Sequence, residues 1–229
     1  METTQTGGAG TFFEKYGTAL AVLVGALIIG GAFAFGQGGD RTGEPAESVA
    51  VDIKEVDLES SPYVGPKNAD VTIAVWFDYQ CHFCKQFETT TLKQVVSTYG
   101  DKVRIVYKDF QFLGVGSNDA ALYSRAVWEA YPNRWGEWFS GMFEGTEEGT
   151  LDVAAMDALS QRLGLDVERI AKLRTDNAAE YQAAIDADRN EGQGFGINGT
   201  PGTIIGTQLL AGAQTFPTVQ TLLDAELAQ

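Results

Sequence analysis

The chain has 229 residues with 31 acidic and 16 basic side chains, which give a formal net charge of −15. A surface this acidic repels phosphate backbones, and this excludes nucleic acid as an expected partner. The chain has two cysteines, Cys81 and Cys84, and a disulfide between residues three positions apart cannot stabilise a large fold. Its single histidine, His82, leaves few of the usual ligands for a metal site. The sequence therefore predicts neither a disulfide scaffold nor a metal centre.

An uncharged apolar run near the start predicts a membrane-spanning segment. Residues 18–35 (TALAVLVGALIIGGAFAF) follow a polar segment, residues 1–17, and their length is near the lower limit for a spanning helix. The alternative is a cleaved signal peptide, because Ala32-Phe33-Ala34 fits a small-residue cleavage pattern. We expect an uncleaved anchor, since the run is longer than a signal core of about 7–15 residues and the preceding segment is not basic.

A tether and the first elements of a folded domain follow. Residues 36–48 (GQGGDRTGEPAES) are polar and rich in glycine, which is typical of a flexible linker. The domain is expected over residues 49–229. Within it, Val71–Asp78 is apolar on both alternating faces and predicts a central strand that is covered on both sides. Apolar residues at helical spacing then predict a helix over Cys81–Tyr99, closed by Gly100.

The middle of the domain is mostly helical in character. Val103–Asp109 first alternates well enough to predict a second strand. From about 114 to 193 several short helices are expected, with breaks at Pro132, in the stretch 145–149 and at Gly164. This stretch is therefore expected to form a helical insertion.

The last part of the domain predicts a hairpin and a helix. Thr203–Ile205 and Gln208–Leu210 flank Gly206-Thr207, which predicts a tight turn between two strands. Phe216–Ala228 predicts an amphipathic helix with Thr215 as its cap. The order strand, helix, strand, helical block, hairpin, helix predicts an α/β sandwich, because buried strands and right-handed crossovers leave few other arrangements.

The two cysteines stand where the predicted strand gives way to the predicted helix. Backbone N–H groups at a helix N-terminus stabilise an anion, and a thiolate is one. The segment Cys81-His82-Phe83-Cys84 therefore predicts a redox-active pair. The alternatives are a structural zinc site, which normally needs four ligands, and two buried thiols without a redox role. The strand-to-helix setting favours the redox interpretation.

Two motifs together resemble the DsbA-type branch of the thioredoxin superfamily, whose members are secreted or membrane-anchored thiol-disulfide oxidoreductases. The pattern F-x-D-[FY]-x-C-x-x-C-[KR]-x-[FL] is matched over Phe77–Phe87, and G-[VI]-x-G-T-P is matched over Gly196–Pro201. A third pattern, [RK]-D-F-P, is matched over Lys108–Gln111, with Gln111 in place of the proline. The resemblance covers about residues 64–227.

The resemblance implies a thioredoxin-like fold with the helical insertion between its βαβ and ββα halves. It also implies that Cys81 is the attacking thiol and Cys84 the resolving thiol. Thr200 and Pro201 would form a cis peptide bond opposite the two thiols, which costs little at proline. The Thr200 backbone and apolar surface around Phe83 are expected to bind substrate, with no organic cofactor and no metal.

Two further residues carry alternatives that the sequence leaves open. His82 stands where many family members have proline. A cationic imidazole beside Cys81 would favour its thiolate and make the disulfide more oxidising; alternatively, the ring lies in solvent. Asp78 is either a buried acid that relays protons to Cys84 or a turn residue that bonds its own backbone.

These expectations combine into an enzyme on a single-pass anchor in the cell membrane that introduces disulfides into client proteins outside the cytoplasm. An oxidising thiol pair is useful only where cellular reductants do not keep it reduced. A membrane or extracytoplasmic redox partner would reoxidise it. The alternatives are a disulfide reductase or isomerase, and a non-catalytic thioredoxin-fold module that carries a peptide or copper.

Overall fold

The computed structural model describes residues 51–145 and 151–229. The chain divides into two units, residues 1–48 and residues 49–229, and the described residues belong to the second. The predicted anchor and linker lie outside the described residues, so they stay predictions. Across the two described ranges, no helix has both the length and the apolar character that crossing a membrane requires.

The described elements follow the predicted order, strand and helix first, then a helical block, a hairpin and a helix. The strands are β1 (Tyr63–Val64), β2 (Val71–Phe77), β3 (Val103–Asp109), β4 (Gly202–Ile205) and β5 (Gln208–Ala211). The α-helices are α1 (His82–Gln86), α2 (Lys93–Tyr99), α3 (Val115–Ala130), α4 (Trp135–Gly145), α5 (Val153–Arg162), α6 (Val167–Asp176), α7 (Ala178–Gly194) and α8 (Phe216–Leu227). Helices α3 to α7 form the insertion between β3 and β4.

The described strands form one sheet in the order β1-β3-β2-β4-β5, with β2 at its centre. β2 runs parallel to β3 and antiparallel to β4. Ile73, Val75 and Phe77 belong to an apolar cluster shared with the insertion. Ala74 and Trp76 belong to a second cluster on the other face. The predicted central strand covered on both sides is thus confirmed, as is the thioredoxin-like fold with a helical insertion.

Aromatic rings pack the insertion onto the sheet. The Phe139 ring of α4 lies 5.1 Å from the Phe77 ring of β2 and 4.4 Å from the Tyr107 ring of β3, measured between centroids. It also stacks on Trp135 at 4.6 Å. Such rings bury large apolar areas and favour edge-on and offset contacts. The insertion is therefore held against β2, which leads into the two thiols, and against its neighbour β3.

A buried network of charges ties the insertion to β3. The Asp188 carboxylate of α7 forms ion pairs with Arg125 of α3 and with Lys108 Nζ of β3, the latter at 2.5 Å. Arg125 Nε also donates to Asp109 Oδ2 at 2.9 Å, and Ser61 Oγ donates to Asp188 at 3.2 Å. Buried charges are tolerated only when they are paired and hydrogen-bonded, and these are.

The structure differs from the predicted elements in the helix that follows the thiols. Instead of one α-helix over Cys81–Tyr99, α1 and α2 are joined by a π-helical segment, Phe87–Leu92. The hydroxyls of Thr89 and Thr90 each donate, at 2.7 Å, to the carbonyl four residues earlier. Threonine hydroxyls that bond backbone carbonyls compete with the regular helix ladder, which is a local reason for the wider turn.

Smaller differences have local causes as well. The first predicted strand ends one residue early, because the Asp78 side chain accepts a hydrogen bond from Gln80 N at 2.8 Å and turns the chain. Strand β1 is too short to show alternation and was not predicted. Thr215 occupies the N-cap of α8, but its hydroxyl lies 3.0 Å from that of Thr218 instead of accepting from a helix N–H.

Candidate active site

The end of β2 and the start of α1 place the first thiol. Cys81 is the N-cap of α1, and its Sγ accepts a hydrogen bond from Cys84 N at 3.4 Å. Cys81 N donates to Asp78 O at 3.1 Å, which closes the turn between strand and helix. Both cysteines are free thiols and both are buried. The sequence expectation of a thiol at a helix N-terminus is confirmed.

The turn before the thiols is anchored by Asp78, whose side chain is fully buried. Besides Gln80 N, its carboxylate accepts hydrogen bonds from Phe112 N at 2.9 Å, from Leu113 N at 3.1 Å and from Ser117 Oγ at 2.6 Å. These four donors occupy the usual acceptor sites of one carboxylate. Asp78 therefore bonds its own backbone turn and also holds the β3–α3 loop beside it; its proton relay to Cys84 stays a prediction.

The segment before β4 meets the thiols from the opposite side. The Thr200–Pro201 peptide bond is cis, and Cys81 Sγ donates to Thr200 O at 3.4 Å. Pro201 O in turn accepts from Gly212 N at 2.8 Å, which links this segment to the end of β5. The prediction that Thr200–Pro201 is cis and faces Cys81 is confirmed.

The two thiols have opposite electrostatic environments. A hydrogen bond from the Cys84 thiol and the backbone N–H groups of Cys84 and Phe83 lower the pKa of Cys81 to about 6, against the opposing effect of burial. Burial raises the pKa of Cys84 well above its ordinary value, and the neighbouring Cys81 raises it further. At neutral pH Cys81 is thus mostly a thiolate while Cys84 keeps its proton.

Titration of the reduced protein is expected to show one thiolate forming near pH 6 and the second only far above neutrality. Ultraviolet thiolate absorbance measures both steps. In Cys84→Ala the Cys81 pKa is expected to rise, because the largest stabilising hydrogen bond is lost, but to stay below that of a free thiol because the backbone donors remain. A Cys81 pKa in the wild-type protein at or above the free value of about 8.5 would contradict the assignment.

His82 and Phe83 lie on the exposed side of the thiol pair. Their rings are 5.6 Å apart between centroids in an edge-on arrangement. Phe83 is 58% exposed, which is high for an apolar residue next to a reactive group. Hydrogen bonds are the largest causes of the low Cys81 pKa, so the stabilising role of His82 stays a prediction.

Sequence reasoning missed two features of the site. Phe112 and Leu113 are exposed apolar residues in the β3–α3 loop that Asp78 holds beside the thiols, and Val115, the first residue of α3, is exposed as well. Glu88 lies behind the thiols, where Tyr107 OH donates to Oε2 at 2.9 Å. The signals were present: an apolar run where a polar loop is usual, and a carboxylate one helical turn after Cys84.

Comparison with known proteins decides the family. A sequence model of the family described as thioredoxin matches residues 57–225. The chain belongs to the thioredoxin family.

Within the residues that the structure describes, no three His, Cys, Asp or Glu side chains are grouped so as to hold a metal ion.

Individual known proteins are similar to this chain at low sequence identity. Disulfide bond formation protein D of Bacillus subtilis (strain 168) is 23% identical over 175 residues, which are 74% of this chain and 78% of that protein. The crystal structure of oxidised BdbD from Bacillus subtilis has a TM-score of 0.70 at 20% identity, and the match covers 80% of this chain and 99% of that one. The thiol-disulfide exchange protein alpha-DsbA2 from Wolbachia pipientis has a TM-score of 0.67 at 24% identity, with 73% and 87% covered.

This thioredoxin-family site places a thiolate, Cys81, next to a protonated thiol, Cys84. The ionised sulfur of Cys81 is the nucleophile, and Cys84 N–H and Thr200 O border it on two sides. Disulfides are exchanged by thiolate attack through a mixed disulfide, which is the chemistry that such a pair supports. The protein is a thiol-disulfide oxidoreductase.

Proposed function

We propose that the enzyme works as an oxidase and donates the Cys81–Cys84 disulfide to client proteins. The observation that carries this direction is the stabilised thiolate of Cys81, whose pKa is about 6. That stabilisation exists only in the reduced enzyme. Whatever stabilises the reduced form raises the reduction potential, so the disulfide form is a stronger oxidant.

In this direction a client thiolate attacks Cys81 Sγ, the bond between Cys81 and Cys84 breaks, and Cys84 leaves with the electron pair. A second client thiolate then attacks the client sulfur of the mixed disulfide and releases Cys81 as a thiolate. The client gains one disulfide and the enzyme is left with two reduced sulfurs. The electrons pass between thiol pairs, so the reaction requires no organic cofactor and no metal. A redox partner must then accept two electrons from the reduced enzyme.

The proposed substrate contacts lie around Cys81. Thr200 and Pro201 would bind the backbone of the client segment, because Thr200 O is already in contact with the Cys81 sulfur. Phe83 and the exposed apolar residues of the β3–α3 loop would contact client side chains. An unfolded client exposes both backbone and apolar groups, so this surface suits clients that have not yet folded.

The proposed location is the outer side of the cell membrane, with residues 18–35 as a single-pass anchor and residues 36–48 as a tether. An oxidising thiol pair would be kept reduced in the cytoplasm, so the compartment follows from the direction of the reaction. Intact-mass measurement on protein extracted from membranes tests the anchor. Loss of residues 1–34 would indicate a secreted enzyme instead.

Equilibration with glutathione is expected to give a reduction potential above that of the cytosolic glutathione pool, near the range of about −180 to −120 mV that oxidising family members occupy. The physical reason is the low Cys81 pKa. Alkylation of free thiols at fixed glutathione ratios, followed by mass spectrometry, measures the potential. A value near about −270 mV, as in a reductase, would contradict the oxidase proposal and favour the reductase alternative.

A further inference from the structure

Exposed apolar side chains are grouped beside the turn that carries the reactive thiols. Phe112 and Leu113 of the β3–α3 loop are 49% and 43% exposed, and Val115, which follows at the start of α3, is 79% exposed. Single exposed apolar residues are ordinary, but residues this close in the chain form a local apolar surface. Such a surface is a candidate contact for a binding partner.

One carboxylate oxygen holds the backbone of the β3–α3 loop. The loop links Asp109, the end of β3, to Val115, and its residues form neither helix nor strand. Phe112 N donates to Asp78 Oδ2 at 2.9 Å, and Leu113 N donates to the same oxygen at 3.1 Å. The two exposed apolar residues of the loop are therefore bound, through their backbone, to the residue that ends the strand before the thiols.

The other oxygen of Asp78 holds the turn before the first thiol. Oδ1 accepts hydrogen bonds from Gln80 N at 2.8 Å and from Ser117 Oγ of α3 at 2.6 Å. The backbone carbonyl of Asp78 accepts from Cys81 N at 3.1 Å. The side chain is fully buried, so its donors lose their partner at a high cost when the carboxylate is removed. One residue thus joins the turn that carries Cys81 to the β3–α3 loop.

We propose that Asp78 is a positioning residue for client recognition, because it fixes the exposed apolar residues of the β3–α3 loop relative to Cys81. A client segment whose cysteine is flanked by apolar side chains then contacts the loop while its thiolate meets Cys81 Sγ. This inference rests on the proposed donation of disulfides to clients, and it adds which client segments are preferred. The Asp78 side chain acts through the loop and not on the reacting sulfurs.

The physical basis of this preference is that the loop is ordered before the client binds. A fixed apolar surface binds a segment at lower cost than a mobile one, because little ordering is needed on association. Apolar side chains next to a cysteine are mostly buried once a client has folded, so the surface favours segments that are still unfolded. Glutathione carries no apolar side chain, and its reaction with the same disulfide is therefore independent of the loop.

The test compares thiol reagents that open the disulfide of the oxidised protein at one pH, by rapid acid quench and mass spectrometry. One reagent is reduced glutathione. The second is a short peptide with one cysteine between phenylalanine and leucine, and its control peptide has serine at both flanking positions. Varying the peptide concentration gives a limiting rate and a half-saturating concentration. With wild type, the apolar peptide is expected to half-saturate at a concentration lower by on the order of tenfold.

Two replacements of Asp78 separate its contacts. In Asp78→Ser the hydroxyl can keep the bond from Gln80 N, two residues on, but no second oxygen is left for the loop. This variant is expected to lose the preference for the apolar peptide, with the limiting rate and the glutathione rate unchanged. In Asp78→Asn the amide oxygen can face the two loop N–H groups, because Ser117 Oγ can then accept from the amide nitrogen and donate to Gln80 Oε1, 3.0 Å away. Asp78→Asn is therefore expected to keep the preference.

Truncation of the loop surface supplies the matched comparison. Phe112→Ala/Leu113→Ala shortens two exposed side chains and keeps both backbone N–H groups. It is expected to raise the half-saturating concentration of the apolar peptide to that of the serine peptide. Adding Asp78→Ser to this variant is expected to change nothing further, because both replacements remove the same contact, whereas independent effects would multiply. Since its two side chains are exposed, the loop variant keeps the test decisive even if Asp78→Ser does not fold.

Three results would overturn the role of Asp78. They are an unchanged peptide preference in the loop variant or in folded Asp78→Ser, effects of these two variants that multiply, and equal slowing of glutathione and peptide by Asp78→Asn, which would place the effect of the carboxylate on the thiols. Oxidised wild type whose disulfide is opened by neither peptide would mean that the proposed function itself fails. Wild type that reacts with both peptides at equal half-saturating concentrations would mean that the exchange stands and only the role of the loop fails.

Discussion

Cys81→Ser is expected to reduce thiol-disulfide exchange to the uncatalysed background, whereas Cys84→Ser is expected to accumulate a mixed disulfide with the client. Cys81 is the ionised sulfur at the helix N-terminus, so its replacement removes the nucleophile. In Cys84→Ser the Cys81 thiolate can still attack a client disulfide, displace one client thiolate and stay bonded to the other client sulfur. No Cys84 thiol is then present to release the client, so this mixed disulfide accumulates. The measurements are turnover of a reduced model protein by wild type and Cys81→Ser, and non-reducing mass analysis of Cys84→Ser after incubation with a disulfide-bonded model protein.

The double variant Cys81→Ser/Cys84→Ser gives the background rate of the reagents. Since the chain has no other cysteine, any adduct found with Cys84→Ser must be attached to Cys81. Full turnover of protein dithiols by Cys84→Ser would show that the roles of the two thiols are misassigned. Adducts formed by Cys81→Ser at the wild-type rate would show the same.

Asp188→Ala is expected to lower the free energy of unfolding by about 3–5 kcal/mol, the loss typical when one partner of a buried ion network is removed. Asp188 accepts from Ser61 Oγ, from Asp109 N at 3.1 Å and from the side chains of Lys108 and Arg125. Its removal leaves two cationic groups, both nearly inaccessible to solvent, with fewer partners. Urea denaturation of wild type and variant at one pH measures the difference.

Asp186→Ala is the matched control, because Asp186 lies two positions away on the same helix and faces solvent. Its carboxylate accepts a hydrogen bond from Gln182 Nε2 at 3.0 Å in an exposed setting. A change within about 0.5 kcal/mol is expected there. Equal losses in the two variants would mean that the buried network does not hold the insertion to β3.

The buried ion network around Asp188 also affects the geometry of the active site, because it includes the last residues of β3. Lys108 and Asp109 end the strand that lies beside β2, and Phe110 N donates to Phe77 O at 2.9 Å where both strands finish. The β3–α3 loop that Asp78 binds begins at this point. The paired charges at the end of β3 therefore help to position the loop that borders the thiols.

Several parts of the protein were determined by the sequence itself. An apolar run such as Val71–Phe77 has no stable location except between two covering layers, so its burial follows from composition. The alternation of apolar and polar residues likewise predicts β3. Gly206-Thr207 predicts the hairpin because a tight turn needs the positive φ that Gly206 adopts. The thiol at the start of a helix follows from the order of local elements. All of these depend on neighbours close in the chain.

The tertiary structure alone decided the rest, because it depends on residues far apart in the chain. Thr200 O reaches Cys81 across 119 positions, and only a motif match predicted that contact. Nothing local in the sequence distinguishes Asp188 from the many carboxylates that face solvent, and the position of Glu88 one helical turn after Cys84 does not by itself predict that it is buried. Asp188 is buried because Arg125 and Lys108 meet it there, and Glu88 because Tyr107 lies over it. The cost of burying a charge is set by its partners, and partners are a property of the fold.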